Sequence, residues 1–302
     1  MLTRAHLYNP SAALRISGAD ANSFLQGQFT NDLSRPIGSA TYGLWLNQKG
    51  KVLADSFVLR TATTEFLVVS SFSPAATIRQ RLEAYIIADE VEVRDETSAW
   101  EAIEVSGSRA AEISAATFGS TPQPGTFLGV GEALVFNGRA SGETNFTILL
   151  PPPFAAEQYR RILGAGAIAI AADTMNAARI SDGLPTVPED IGPGDLPNEG
   201  GLDETAISFT KGCYLGQEVM ARLKNLGQVR RRLHVVKGSL PMPQPASEVF
   251  QNGTRVGAFR SMARQGEGFV AFAMLSLSGL DSKAGLSLSP DGPTTIRVIS
   301  RT

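Results

Sequence analysis

The chain has 302 residues, with 27 Lys+Arg against 29 Asp+Glu and a net charge of −2. That length can bury a large core and points to more than one domain, while the near-balance of charge excludes a general electrostatic pull toward nucleic acid or anionic membrane. One cysteine and two histidines exclude an internal disulfide and a self-contained Cys/His metal or iron–sulfur site.

The opening residues, Met1 to His6, lack the apolar run of a secretory signal. The longest small-and-apolar run, Gly164 to Ala172, is too short to span a bilayer. A cytoplasmic protein with a reduced thiol is the expectation.

Ala12 to Ile16 reads as a strand, and Asp20 as the N-cap of a helix carrying Phe24, Leu25 and Gln28. That helix runs out at Thr30-Asn31-Asp32. Thr41 to Leu46 and Lys51 to Arg60 read as strands joined by the turn residues Asn47-Gln48-Lys49-Gly50. A strand over Glu65 to Ser70, a helix opened by Pro74 and a short strand at Val91 to Val93 complete the first run. A second run follows Trp100: strands at Ala102 to Val105, Leu134 to Phe136 and Thr144 to Leu150, with helices at Ser108 to Ala116 and Phe154 to Leu163. Thr121 to Gly131 reads as a loop. Strands interrupted by helices without a regular βαβ repeat make an α+β pattern, in two loosely similar halves.

Asp173-Thr174 opens another helix through Arg179. The stretch Ser181 to Thr205 then holds four prolines and reads as irregular. Loops of this length inside a domain tend to be functional, and this one is expected to wall a pocket. From Arg230 onward the pattern is all-β, with a hairpin at Glu248 to Gly257 turning on Asn252-Gly253. The expected organisation is a region over 1–229, with lobes at about 1–98 and 99–229 that can interleave, and a C-terminal module over 230–302.

The chemistry concentrates at Lys211-Gly212-Cys213-Tyr214-Leu215-Gly216-Gln217-Glu218. The glycines let the backbone bend, and Gln217 to Asn225 reads as a helix stopped by Gly227. A cysteine just before a helix N-terminus, with Lys211 nearby, is favoured as thiolate. A buried structural cysteine is the competing reading of the same residues.

With these residues placed, the chain resembles the YgfZ family of folate-binding proteins, relatives of the glycine-cleavage T protein (aminomethyltransferase), whose mitochondrial members serve iron–sulfur protein maturation. The Lys-Gly-Cys-Tyr-x-Gly-Gln-Glu motif is the family's signature. Leu25 to Gln28 with Thr30 to Asp32, Asn47-x-Lys49-Gly50-Lys51 ending in Asp55, and Arg179 with Gly183 and Pro185 add to it.

The resemblance implies three lobes around a central channel for tetrahydrofolate, with a C-terminal β-barrel. It implies Cys213 as a reactive thiol whose pKa Lys211 sets. Folate contacts are implied at Glu199, against the pterin, at Arg222 and Arg230, for the anionic tail, and at Asn31, Asp55, Tyr214 and Gln217.

The T protein's Gly-Gly-x-x-Asp-Asp segment reads here Gly50-Lys51-Val52-Leu53-Ala54-Asp55, with an alanine for one acid, which argues against aminomethyl transfer. The implied function is a tetrahydrofolate-binding accessory factor for assembly or repair of iron–sulfur proteins, including tRNA-modifying enzymes, with client enzymes or assembly factors as partners. The alternative is a tetrahydrofolate-dependent one-carbon transferase. Direct nucleic-acid binding through Arg230-Arg231-Arg232 is disfavoured by the net charge.

Overall fold

The structure is a computed structural model, and it describes residues 2–281 and 283–299. In chain order, β1 is Arg4–Tyr8, β2 Ala12–Ser17, α1 Ala21–Gln28, β3 Ala40–Leu46, β4 Val52–Ala62, β5 Glu65–Ser70, α2 Ala75–Glu83 and β6 Glu92–Asp95. Then come β7 Glu101–Ser106, α3 Ala110–Phe118, β8 Phe127–Val130, β9 Ala133–Asn137, β10 Asn145–Leu150, α4 Pro152–Gly164, β11 Ile168–Ala169 and α5 Ala172–Ser181. The last elements are α6 Asp203–Ala206, α7 Gln217–Leu226, β12 Arg231–Ser239, β13 Glu248–Gln251, β14 Thr254–Gln265, β15 Gly268–Ser276 and β16 Ile296–Ile299.

Three sheets organise these elements, in the orders β3-β4-β5-β2-β6, β11-β1-β7-β10-β9-β8 and β13-β14-β15-β12-β16. The N-terminal strand β1 pairs antiparallel with β7, so the first residues belong to the second sheet and not to the first. The stretch over Thr121 to Gly131, read from its Pro and Gly as loop, contains strand β8, held by its pairing with β9. Composition describes the turn before that strand, whereas the strand itself depends on a partner.

Period-two alternation explains how the first two sheets meet. On β4, Ala54 and Val58 turn inward with Leu25, Trp45 and Phe66 beneath α1 and α2. Asp55 and Phe57 take the opposite face, along which Leu59 packs with Ala102, Phe136 and Leu149 of the second sheet. On β7, Ile103 and Val105 pack under α3 and α4, leaving Ala102 and Glu104 to face the first sheet. The cavity described below opens within this sheet-to-sheet contact.

The prolines of 181–205 do not make a solvent-facing loop. Val187, Ile191 and Leu202 are buried in one core with Leu44 and Leu46 of the first sheet and Leu233, Val270 and Phe272 of the third. Part of this stretch lines the cavity, and much of the rest is packing between sheets.

The third sheet curls. Its outer strands β13 and β16 are both bridged to the segment 286–287, through Phe250 with Ser287 and Leu286 with Ile296. These are single bridges, so the expected barrel is present as a curled five-stranded antiparallel sheet without a closing ladder. Among the described residues, no helix is long and apolar enough to cross a membrane.

Candidate functional site

A cavity of about 330 Å³ lies where the first two sheets meet α5 and the segment 184–189. Its polar lining comes from His6 and Tyr8 of β1, Tyr42 of β3, Asp55 of β4, Glu104 of β7 and Thr147 of β10. Phe57, Phe72, Met175 and Pro185 supply apolar surface, and Arg139 and Arg179 are the cations. A mostly apolar cleft with a few convergent polar groups is the usual form of a small-molecule site.

Asp55 is buried, and donors surround its carboxylate. Tyr42 donates its hydroxyl to Oδ2 at 2.9 Å, and Ser73 and Ser70 donate to Oδ1 at 2.7 and 3.2 Å. Burial raises its pKa, and the serine, tyrosine and Arg139 contributions oppose that rise. Ala54, the neighbour that stands where the T protein has a second acid, is fully buried among apolar side chains. The substitution therefore alters the core beneath β4, and the acid facing the cavity is kept.

Glu104 was not singled out from the sequence. It is 3 % exposed, and its Oε2 accepts a hydrogen bond from Thr147 Oγ1 at 2.8 Å while Oε1 has no partner. Burial pushes its pKa up to about 8, with the Thr147 hydrogen bond opposing. Asn145 lies beside it. The Asn145 Nδ2 donates to the carbonyls of Ser141 and Glu143, both at 2.7 Å, which turns a partnerless Oδ1 inward.

Gly138 makes room for this cluster. A Cβ there would lie 2.4 Å from Glu104 Oε1, 2.6 Å from Thr147 Oγ1 and 2.7 Å from Asn145 Oδ1. Buried oxygens without partners are costly, and the carboxyl of Glu104, protonated, carries one donor of its own. The signal available in the sequence was a glutamate at an inward position of an otherwise apolar strand, Ala102-Ile103-Glu104-Val105.

The cysteine turn is a separate construction. Cys213 is exposed and does not line the cavity. Gly216, at φ 88°, precedes α7, and a Cβ on it would meet the Asn47 carbonyl at 2.9 Å. Lys211 is turned away from any role as a free charge beside the thiol. Its Nζ donates to the carbonyl oxygens of Gln26, Phe29 and Asn31 at 2.7, 2.7 and 3.0 Å, with the Tyr214 ring 5.4 Å away. Desolvation brings its pKa down to about 8. These carbonyls close the C-terminal end of α1, where a cation is favoured by the helix dipole. Leu215 N donates to Gly27 O at 3.1 Å and Ser208 N to Thr30 O at 3.0 Å. The separated motifs around 25–32, 47–50 and 208–218 thus form one packed unit.

The remaining expected contacts fall elsewhere. Glu199 is buried but outside the cavity: its Oε2 accepts from Leu196 N at 2.7 Å and its Oε1 pairs with Arg231 Nε at 2.8 Å. Arg231, and not Arg222 or Arg230, is the arginine engaged there, and it also reaches Asp195 at 2.6 Å. Arg222 and Arg230 are exposed and away from the cavity lining. Asn31 is a structural bridge, donating to Tyr42 O at 2.8 Å and accepting from Asp32 N at 2.9 Å. Tyr214 packs in the core, and Gln217 begins α7. Of the expected folate contacts, only Asp55 lines the cavity. Among the described residues, no group of three or more His, Cys, Asp or Glu is placed to hold a metal ion.

The fold matches known proteins over nearly its whole length. The glycine cleavage system aminomethyltransferase T from Bartonella henselae superposes with a TM-score of 0.83 at 21% identity, covering 99% of this chain and 86% of that one. The mitochondrial iron–sulfur cluster assembly factor IBA57 of Mus musculus is 29% identical, over 87% of this chain and 75% of its own. The tRNA-modifying protein YgfZ of Edwardsiella ictaluri is 28% identical, over 92% and 88%. The family model for the GCVT N-terminal domain matches residues 9–211, which take in both the cavity-lining sheets and Lys211. The chain belongs to the GCVT N-terminal domain family, as a YgfZ-type member related to the glycine-cleavage aminomethyltransferases.

Proposed function

We propose that this protein binds tetrahydrofolate in the cavity between its first two sheets and acts as an accessory factor in the assembly or repair of iron–sulfur proteins, tRNA-modifying enzymes among them. The observation that carries the ligand half is the buried carboxyl of Glu104, which lines the cavity and whose Oε1 has no partner. A reduced pterin presents adjacent N–H donors, and such donors would pair with the Glu104 carboxyl and favour its ionised form. Phe57, Phe72 and Tyr42 offer ring and edge contacts to a flat heterocycle.

Bound folate would supply a carrier for a one-carbon group. The protein's own residues would orient it, with Glu104 holding one edge and Asp55 standing as the second acid of the cavity. In this reading Glu104 takes the place expected of Glu199.

The accessory half rests on the names of the relatives and on the exposure of Cys213. A thiol on a rigid turn, outside the ligand cavity, is suited to contact with a client protein in the cytoplasm. One cysteine cannot hold a cluster alone, so any iron contact would be shared with the client. The test is complementation of a deletion strain under oxidative stress. Cys213→Ala should lower iron–sulfur enzyme activities while leaving tetrahydrofolate affinity unchanged, and unaltered activities would remove the accessory role.

One observation favours the alternative, a tetrahydrofolate-dependent one-carbon transferase. Asp55 faces the cavity and is buried, as an acid used in transfer would be. Turnover of an aminomethyl donor that Asp55→Asn abolishes would establish it, and turnover no higher than background would dismiss it.

A further inference from the structure

Arg139 is the cavity's cation without a salt bridge among the described residues. It sits in the connection between β9 and β10, half-buried, with its guanidinium carbon 3.8 Å from the centre of the Tyr42 ring. The loop that carries it is fixed from both sides. Ser141 Oγ and Gly142 N donate to Asp182 Oδ2 at 3.1 and 2.8 Å, and Asn145 Nδ2 holds the Ser141 and Glu143 carbonyls. The guanidinium therefore stacks on a ring that is itself tied to Asp55 through its hydroxyl. Yet among the described residues no carboxylate lies within salt-bridge distance of Arg139, although eleven such pairs occur elsewhere in the chain. The other cavity arginine, Arg179, is spent on Asp190 at 2.7 Å and Ser261 at 2.9 Å.

Asp55 feels the charge of Arg139 but makes no salt bridge with it. Asp55 has its two oxygens filled by Tyr42, Ser70 and Ser73, and burial favours its neutral form. A planar guanidinium, stacked on one face, shared with the Tyr42 hydroxyl and without a carboxylate partner, is an arrangement that can receive a carboxylate.

We infer that Arg139 forms an anion subsite beside Asp55 that takes the carboxylate of a small second ligand, distinct from whatever occupies the edge at Glu104. The site is compact. A cavity of about 330 Å³ that also holds a bicyclic ring leaves room for an anion of only a few heavy atoms. This inference deepens the reading of the cavity as a ligand site but does not require its main ligand to be folate.

The test uses formate as the probe and formamide as its uncharged counterpart, each titrated into the full chain and followed by shifts of the backbone amide signals of residues 138–142. Wild type should saturate with formate and not with formamide. Arg139→Met should weaken formate at least tenfold, and Arg139→Lys should recover part of the loss, since a point charge replaces the fork. Failure of wild type to bind formate, or equal binding by Arg139→Met, overturns the subsite. Failure of wild type to bind tetrahydrofolate bears on the proposed function alone. An unfolding midpoint for Arg139→Met equal to that of wild type ensures that the loss is local.

Discussion

Thr147 Oγ1 donates to Glu104 Oε2 at 2.8 Å, across adjacent strands of the second sheet, and leaves the other oxygen of that carboxyl facing unpaired toward Gly138. Burial raises the folded-state pKa of Glu104 from 4.5 to about 8. The native protein therefore binds this proton more tightly than the unfolded chain. Its contribution to stability is complete below about pH 4.5 and is lost as pH rises through about 8. With about 1.4 kcal/mol per pKa unit, the window is worth a few kcal/mol. Urea unfolding at pH 5, 6.5 and 8 should show wild type losing stability across this range more steeply than Glu104→Gln. Parallel profiles would place the proton elsewhere.

Gly138→Ala should disturb the same cluster sterically. Its new Cβ would lie within 2.7 Å of three oxygens, one each from Glu104, Thr147 and Asn145. Overpacking of this kind costs about 1–3 kcal/mol. The expected result is a lower urea midpoint together with weakened ligand binding, and a variant as stable and as competent as wild type would show that the cluster yields freely.

Lys211→Met should destabilise the unit around the cysteine turn, because it strips a charged donor from three carbonyl oxygens at the end of α1. A loss of about 2–4 kcal/mol is expected from charged hydrogen bonds of this kind. Lys211→Arg should not restore it, since a planar fork does not fit a cage shaped for one ammonium. The check is chemical denaturation of both variants alongside wild type. Cys213 itself, being exposed, should react fully with a thiol reagent in the native state.

Asp190→Asn should be more damaging than its distance from Cys213 suggests. Asp190 is fully buried, pairs with Arg179 at 2.7 Å and accepts from Thr186 N and Ser261 N. Leaving Arg179 without its counter-charge should cost about 3–5 kcal/mol. Calorimetric unfolding would measure it, and a shift of only a degree or two in Tm would contradict this role.

Much of the fold was legible because local rules and burial agreed. Pro74 precedes α2, Gly227 follows α7, and Asn252-Gly253 turns the hairpin of β13 and β14. What escaped were features made only in three dimensions. Strand β1 is fixed by β7, about a hundred residues away, and β8 by its pairing with β9.

The site shows the same division. The motif Lys211 to Glu218 was recognisable as a spaced string, yet its lysine proved to be an anchor, since nothing in the string reveals three carbonyls from α1. Glu199 was expected against the pterin from the resemblance alone, and no string reveals that Arg231 and Leu196 N bind its carboxylate. Glu104 looked like an ordinary strand residue, and the facing sheet makes it part of a cavity.

The central claim, that the cavity between the first two sheets binds tetrahydrofolate through Glu104 and Asp55, is tested most directly by calorimetric titration of tetrahydrofolate into four proteins. Wild type and Glu199→Ala should bind with affinities within about twofold of each other, even though Glu199→Ala loses its ion pair with Arg231. Glu104→Gln and Asp55→Asn should each bind at least tenfold more weakly. Equal affinity in Glu104→Gln and wild type, with the loss appearing instead in Glu199→Ala, would contradict the account and move the ligand to the Glu199–Arg231 pair.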